Sequence, residues 1–245
     1  MIQLQIIQKE NNIFNTTTAN SKFELAVFIS HPMQIKLQNI LPVFFEKDKA
    51  KNSQLWDQDL SFSKGEKIHI IAPSGSGKTV FIHFLYGLRK DYTGKILYNE
   101  NDIFNFDAEK FSAWRQKFIS IIFQDLRLFT EQTVRQNLEI KRLLLPYHPE
   151  SRINTMAKRL GIENKLDKLC KNCSYGEQQR IAIIRALQQP FEFLLLDEPF
   201  SHLDENNRQI AMELIEEEAA ERNAAIILAD LKMIDYFSAD RILYL

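Results

Sequence analysis

Lys67-Ile68-His69-Ile70-Ile71-Ala72-Pro73-Ser74-Gly75-Ser76-Gly77-Lys78-Thr79 is the stretch that decides the fold. Its first half is a short apolar run broken by a proline and glycines, which predicts a buried strand. Residues 78–88 predict a helix, closed by Gly87 near its C-terminus. The turn between them has the form G-x-x-x-x-G-K-[ST], except that Ala72 stands where the first glycine would be. Glycines let backbone N–H groups wrap phosphates, and a helix start adds the positive end of its dipole. Lys78 is expected to reach the β- and γ-phosphates of a nucleotide, and Thr79 to offer its hydroxyl to Mg²⁺. Ser74, Gly75, Ser76, Gly77, Lys78, Thr79 and Val80 are the expected nucleotide contacts. Ala72 is expected to be tolerated, because a strand end needs no positive φ.

Working outward, residues 33–45 begin with a strand pattern at Ile35, Leu37 and Ile40. Residues 95–98, 120–123, 193–197, 225–229 and 241–245 read as further strands, and residues 130–169 as helical and more polar. Strands alternating with helices predict an α/β fold with a mostly parallel sheet. The 245 residues are 45% hydrophobic and 26% charged, which excludes a disordered tail and suffices for a sizeable core. Lys and Arg number 31 against 32 Asp and Glu, a net charge of −1, so no global electrostatic case exists for nucleic acid or an anionic membrane. Two cysteines make no disulfide framework and fit a reducing cytosol. No apolar run approaches the roughly 18 residues of a membrane helix, and the N-terminus lacks the pattern of a secretory signal. A cytoplasmic chain is expected, with any membrane link made through a partner.

Two further stretches carry chemistry. Phe193-Leu194-Leu195-Leu196-Asp197-Glu198-Pro199 is an apolar strand ending in two acids. A parallel sheet would set Asp197 at its C-terminal edge beside the phosphate loop, where ligands of open α/β sheets sit. Asp197 is expected in the Mg²⁺ shell, and Glu198 as the group that polarises or orients the attacking water. Ser174-x-x-Glu177 is a capping-box pattern ahead of Ile181, Ile184 and Leu187, with Pro190 ending the helix. Such a helix start also suits an anionic phosphate.

Cys173-Ser174-Tyr175-Gly176-Glu177-Gln178-Gln179-Arg180 is similar to the ABC signature LSGGQ followed by QQR. Ser174 stands 23 residues before Asp197 (197 − 174), a spacing the family shares. Ser201-His202-Leu203-Asp204 resembles the family's D-loop, and Gln124, in Ile121-Ile122-Phe123-Gln124-Asp125, its Q-loop. With these motifs in order, residues 34–245 resemble an ABC transporter ATPase subunit. The resemblance implies a P-loop NTPase fold with a mostly parallel core sheet, an N-terminal antiparallel β subdomain and a helical subdomain at about residues 126–189. It divides the chain into a 1–32 extension and a 33–245 ATPase domain. Two readings of the extension stay open: Met33 is the true start, or residues 1–32 form a genuine N-terminal strand or hairpin.

The resemblance further implies ATP and Mg²⁺ as cofactors, with Thr79, Gln124 and Asp197 around the metal and Glu198 and Gln124 catalytic. Ser174, Gly176, Glu177 and Asp204 would meet the ATP held by an opposite subunit, so that two subunits sandwich two nucleotides head to tail. A homodimer and an integral membrane permease are the implied partners, with residues 125–137 in the groove for a coupling helix. ATP-driven closure and hydrolysis-driven reopening would drive the permease. Tyr86-Gly87-Leu88 and residues 123–129 look closest to the lipoprotein-release, macrolide-export and cell-division class.

The chain departs from the family pattern at Cys173 and Tyr175, and at Asp230, which stands where a switch histidine normally meets the γ-phosphate. Negative charge facing negative charge there predicts either slow hydrolysis or another residue in the histidine's place. Trp56 and Phe45 are candidates to stack on adenine, and both read equally well as core. Two other functions compete: a non-hydrolysing switch that dimerises on ATP, and a soluble non-transport ABC protein. Glu198 counts against the first; the lack of a coiled-coil insertion or second cassette counts against the second. Asn164-Lys165-Leu166-Asp167 spells a guanine-reading motif without the strand it should follow. Cys170-x-x-Cys173 lacks a second pair, the five histidines show no ligand spacing, and His83 reads as packed or surface. The acidic run at 213–221 reads as a solvated helix face.

Overall fold

Continuous apolar runs build the central sheet. Strands β3 (Lys67–Ile71), β6 (Ile119–Ile122), β7 (Phe193–Asp197), β8 (Ala225–Asp230) and β9 (Arg241–Tyr244) lie in the order β6-β7-β8-β3-β9. All four pairings are parallel. Parallel strands are covered on both faces, which is why β7 is buried along its whole length. The computed structural model describes residues 33–45, 50 and 53–245; both readings of the 1–32 extension lie outside the described residues.

A second, antiparallel sheet has the order β2-β1-β4-β5, from β1 (Gln34–Pro42), β2 (Asp59–Ser63), β4 (Tyr92–Tyr98) and β5 (Asn101–Asp102). Ile35 and Leu37 of β1 are buried. Helix α1 (Lys78–Leu85) follows β3, and α2 (Ala108–Lys117) precedes β6. Then come α3 (Val134–Leu144), α4 (Ser151–Arg159) and α5 (Tyr175–Ala186), with α6 (Glu205–Glu221) between β7 and β8. Leu138, Ile153, Met156, Ile181 and Ile184 share one core, and burying each such side chain contributes about 1.5–3 kcal/mol. Among the described residues no helix is long and apolar enough to cross a membrane.

Several expectations need correction. Helix α1 stops at Leu85, not Leu88, because Gly87 takes φ +70° and a Cβ there would fall on the Phe111 ring. Helix α5 stops at Ala186, before Pro190, and the Leu187 carbonyl beyond it accepts from Arg222 Nη2 at 3.0 Å. The acidic run is not wholly solvated. Glu218 is fully buried, with His148 Nε2 at 2.6 Å, Arg152 Nη2 at 2.6 Å and Arg222 Nη1 at 2.7 Å. The guanine-reading motif, as expected, has no strand behind it: residues 163–165 form a 3-10 turn and Lys165 pairs with Glu177 at 2.9 Å.

Candidate active site

Parallel register brings three strand ends level. Ile71 of β3 pairs with Asp230 of β8, and Asp197 of β7 with Ala229. The loop leaving β3 curls so that the carbonyls of Ala72 and Pro73 each accept from Lys78 Nζ at 3.0 Å. Lys78 is 4% exposed, and Glu198 Oε1 lies 3.4 Å from its ammonium. Gly77 caps α1 at φ +102°; a Cβ there would meet Phe45 Cζ at 3.0 Å and Trp56 Cζ2 at 3.1 Å. Only glycine accepts both the conformation and the close approach. Ala72 is buried without a positive φ, and its N–H donates to the Asp230 carbonyl at 3.1 Å.

Beside this loop, three oxygens converge. Thr79 Oγ1 stands 3.2 Å from Asp197 Oδ1 and 3.3 Å from Gln124 Oε1. Asp197 is 1% exposed, and its Oδ2 has no hydrogen-bond partner among the described residues. Burial pushes its carboxyl up to about 6, and Glu198 pushes the same way, against Thr79 and Lys78. A hydroxyl, an amide oxygen and a carboxylate with an unmet buried oxygen form a donor set suited to a hard divalent cation. The three line a cleft of about 390 Å³ that also admits His83, His202 and Tyr175. His83 packs edge-on against Phe123.

Glu198 leaves the strand at φ +45°, a left-handed conformation that costs a non-glycine residue about 1–2 kcal/mol. Its N–H donates to the Ala229 carbonyl at 2.9 Å. Asp230 is close enough for Glu198 to push its carboxyl up, after the larger effect of burial, while Arg208 and Lys78 pull it down. Negative charge is therefore concentrated at Asp197, Glu198 and Asp230, with Lys78 as the buried cation among them.

The signature residues lie apart from this cleft. Ser174 Oγ accepts from Glu177 N–H at 3.3 Å, and Glu177 accepts from Ser174 N–H at 2.8 Å, completing the expected capping box at the start of α5. The Lys165 ion pair holds the Glu177 carboxyl below its usual range. Asp204 caps α6, accepting from Asn207 N–H at 2.9 Å. Tyr175 alone of the signature reaches the cleft, its ring centroid 4.1 Å from that of His202. Gly176 leaves room for the His202 carbonyl, which would stand 3.0 Å from a Cβ.

Gln179, fully buried, ties these parts together. It accepts from His202 N–H at 2.9 Å and donates to Ser201 Oγ at 3.3 Å and the Glu198 carbonyl at 3.5 Å. Sequence reading used Gln179 only as part of the motif. Its signal was a glutamine two residues before buried Ile181, where a polar group needs partners. Of its two readings, Trp56 takes the core one: it is 1% exposed and packs on Phe81 and Phe84. Phe45 is half-buried beside the phosphate loop, edge-on to Trp56 at 5.6 Å.

Residues 55–201 match the ABC transporter family. A lipoprotein-releasing system ATP-binding protein, LolD, of Syntrophus aciditrophicus is 33% identical over 74% of this chain and 83% of its own. The macrolide export ATP-binding/permease protein MacB of Nitrosomonas europaea is 31% identical over 80% of this chain, which spans 30% of that relative's length. The dimeric post-hydrolysis state of the ATP-binding cassette MJ0796, bound to ADP and Pi, shares the fold at a TM-score of 0.74 and 23% identity, over 86% of this chain and 94% of that one. The expected P-loop NTPase fold is thus borne out, and the chain belongs to the ABC transporter family, as one of its ATP-binding ATPase subunits.

Proposed function

We propose that this subunit binds Mg²⁺-ATP at the Lys78 loop, hydrolyses it with Glu198, and passes the resulting closing and opening to an integral membrane permease. The convergence of Thr79, Gln124 and Asp197 around an unmet carboxylate oxygen carries this reading. Backbone N–H groups of Ser74, Gly75, Ser76, Gly77 and Val80 would receive the phosphates, with Phe45 against the base. Thr79, Gln124 and Asp197 would hold Mg²⁺, which supplies charge neutralisation at the phosphate oxygens when bound. Lys78 now shares its charge between loop carbonyls and Glu198. A γ-phosphate competing for that ammonium frees the Glu198 carboxylate to take a proton from water, or to orient it, with Gln124 assisting.

Ser174, Gly176, Glu177 and Asp204 would face a nucleotide held by a second copy, since they line helix starts away from this chain's own cleft. The functional unit is then a head-to-tail homodimer at the inner face of the cell membrane, bound there through the permease. Similarity to a lipoprotein-releasing ATP-binding protein and a macrolide exporter supports a place in the lipoprotein-release, macrolide-export and cell-division class. Asp230 favours a second reading, an ATP-driven dimerisation switch with little turnover, because it adds negative charge beside Glu198.

The test is Mg²⁺-ATP turnover of the purified chain beside Glu198→Gln, at concentrations where it dimerises. Turnover should fall at least about 100-fold in the variant while ATP-dependent dimerisation persists. Turnover indifferent to Glu198→Gln refutes the mechanism. A wild type that dimerises on ATP without turning over establishes the switch.

A further inference from the structure

The start of α5 is shaped around one exposed residue, His202. Gln179, fully buried, accepts from the His202 N–H at 2.9 Å. Gly176 leaves space for the His202 carbonyl, whose oxygen would stand 3.0 Å from a Cβ. Tyr175 sets its ring edge-on to the imidazole, with centroids 4.1 Å apart. The backbone of His202 is thus fixed on two sides and its ring on a third. The ring nitrogens make no hydrogen bond among the described residues, and the imidazole lines the cleft that holds Thr79, Gln124 and Asp197. A donor whose backbone is fixed and whose bonding capacity is unspent is preorganised for something that enters the cleft.

The chemistry of the cleft calls for such a donor. Asp197 and Glu198 bring carboxylates to it, and Asp230 adds a third beside Glu198. Lys78, the buried cation among them, is divided between two carbonyls and Glu198. Phosphoryl transfer spreads negative charge over the γ-phosphate oxygens, so each fixed N–H that faces them lowers the barrier. An imidazole carries an N–H whether it is neutral or protonated. The cleft also admits His83, which is half-buried and packs edge-on to Phe123 at 6.1 Å. Burial, with Arg127 and Arg89 and against Asp125, pushes the His83 imidazole down and keeps it uncharged. His202 is exposed and has no such packing.

We propose that His202 is a further catalytic residue, whose imidazole donates a hydrogen bond to the γ-phosphate at the Lys78 loop as charge develops there, and that Tyr175 is the positioning residue that aims the ring. The role rests on the reading of the cleft as the Mg²⁺-ATP site. The oxygen of water bonds to the γ-phosphorus as the bond to the ADP oxygen breaks, and the proton from water passes to Glu198; His202 keeps its own proton throughout. Gln179 also donates to the Glu198 carbonyl at 3.5 Å, so the backbones of base and donor are held by one buried amide. Tyr175, a departure from the signature pattern, gains a purpose: a smaller residue would leave the imidazole without its supporting ring.

The experiment measures Mg²⁺-ATP turnover of the full chain, His202→Ala, Tyr175→Ala and the double variant, beside Glu198→Gln. In His202→Ala, kcat and kcat/KM should fall together by about 100-fold, with melting as in wild type. Tyr175→Ala should lose about tenfold in kcat, and nothing further where residue 202 is already alanine. A second readout needs no turnover. In protein labelled with ¹⁵N in its histidine rings, the His202 signal, identified by its absence from His202→Ala, should shift when Mg²⁺, ADP and vanadate are added, vanadate mimicking the phosphoryl group in transfer. A His202→Ala kcat within about threefold of wild type, a defect confined to KM, or a ring signal that does not move overturns the proposal. Tyr175→Ala effects that persist in full without His202 overturn the positioning role. Turnover indifferent to Glu198→Gln, or absent in wild type, counts against the hydrolytic mechanism, and the vanadate-induced shift then decides His202 on its own.

Discussion

Replacing Glu218 with leucine is expected to cost the fold about 3–4 kcal/mol at neutral pH. The carboxylate is fully buried and meets two guanidinium groups and the His148 ring at 2.6–2.7 Å. Arg152, a third exposed, can turn to water. Arg222, its side chain 2% exposed, cannot, and would keep carbonyl bonds, the His148 contact and the faces of Tyr147 at 3.7 Å and Phe191 at 4.5 Å, but no counter-charge. Stranding one such buried charge accounts for most of the loss. With a urea slope of about 3 kcal/mol/M, the unfolding midpoint should drop by about 1 M, read by tryptophan fluorescence. The pH dependence is equally specific. Burial pushes the Glu218 carboxyl up, but hydrogen bonds from His148, Arg152 and Arg222 together hold it below its ordinary 4.5. A depressed folded value stabilises above 4.5 and loses that contribution as pH falls through the folded value. Wild type and Glu218→Gln should therefore converge only in acid, below 4.5. A midpoint shift under about 0.3 M, or a gap that closes above pH 4.5, would refute the assignment of this cluster as a buried ionic clamp.

Three other outcomes follow from the site. Asp230→His should raise Mg²⁺-ATP kcat about tenfold or more by removing a negative charge beside Glu198; an unchanged or lower rate would clear Asp230 of slowing the reaction. Asp197→Asn should abolish turnover yet melt higher than wild type in magnesium-free buffer at pH 8. Its carboxyl, raised to about 6 chiefly by burial, costs the fold about 2–3 kcal/mol once ionised, so the gap should open as pH rises through 6 and close near pH 4. Phe45→Ala should weaken ATP binding about tenfold with kcat little changed, measured by titration of a fluorescent ATP analogue; no change would remove Phe45 as the base platform.

Local chemistry was legible in the sequence and long-range chemistry was not. The phosphate loop, the acid-terminated strand and the Ser174–Glu177 capping box each declare themselves within a few residues, and each forms where expected. Helix α2 went unread because only Phe111 and Trp114 of its ten residues are buried, too thin a stripe for periodicity to register. Its Asp107 cap was the available signal. Strand β2 went unread because DLSFS alternates over only two apolar positions. Glu218 sits in an acidic run whose buried member is chosen by His148 and Arg152, 70 and 66 residues upstream. No window-sized pattern contains that information. Trp56 and Phe45 were indistinguishable by composition, and only packing against Phe81 and Phe84 assigned Trp56 to the core.

The left-handed backbone at Glu198 sets drift against selection at a single codon. Glycine, asparagine or aspartate would sit there with less strain, by about 1 kcal/mol, and would make a sturdier protein. None of them carries a carboxylate on a side chain as long as glutamate's. A lineage released from the need for turnover would be expected to lose Glu198 early, because the replacements improve folding as they silence the chemistry. In this chain the strained position still carries a glutamate, whose Oε1 reaches to 3.4 Å from Lys78.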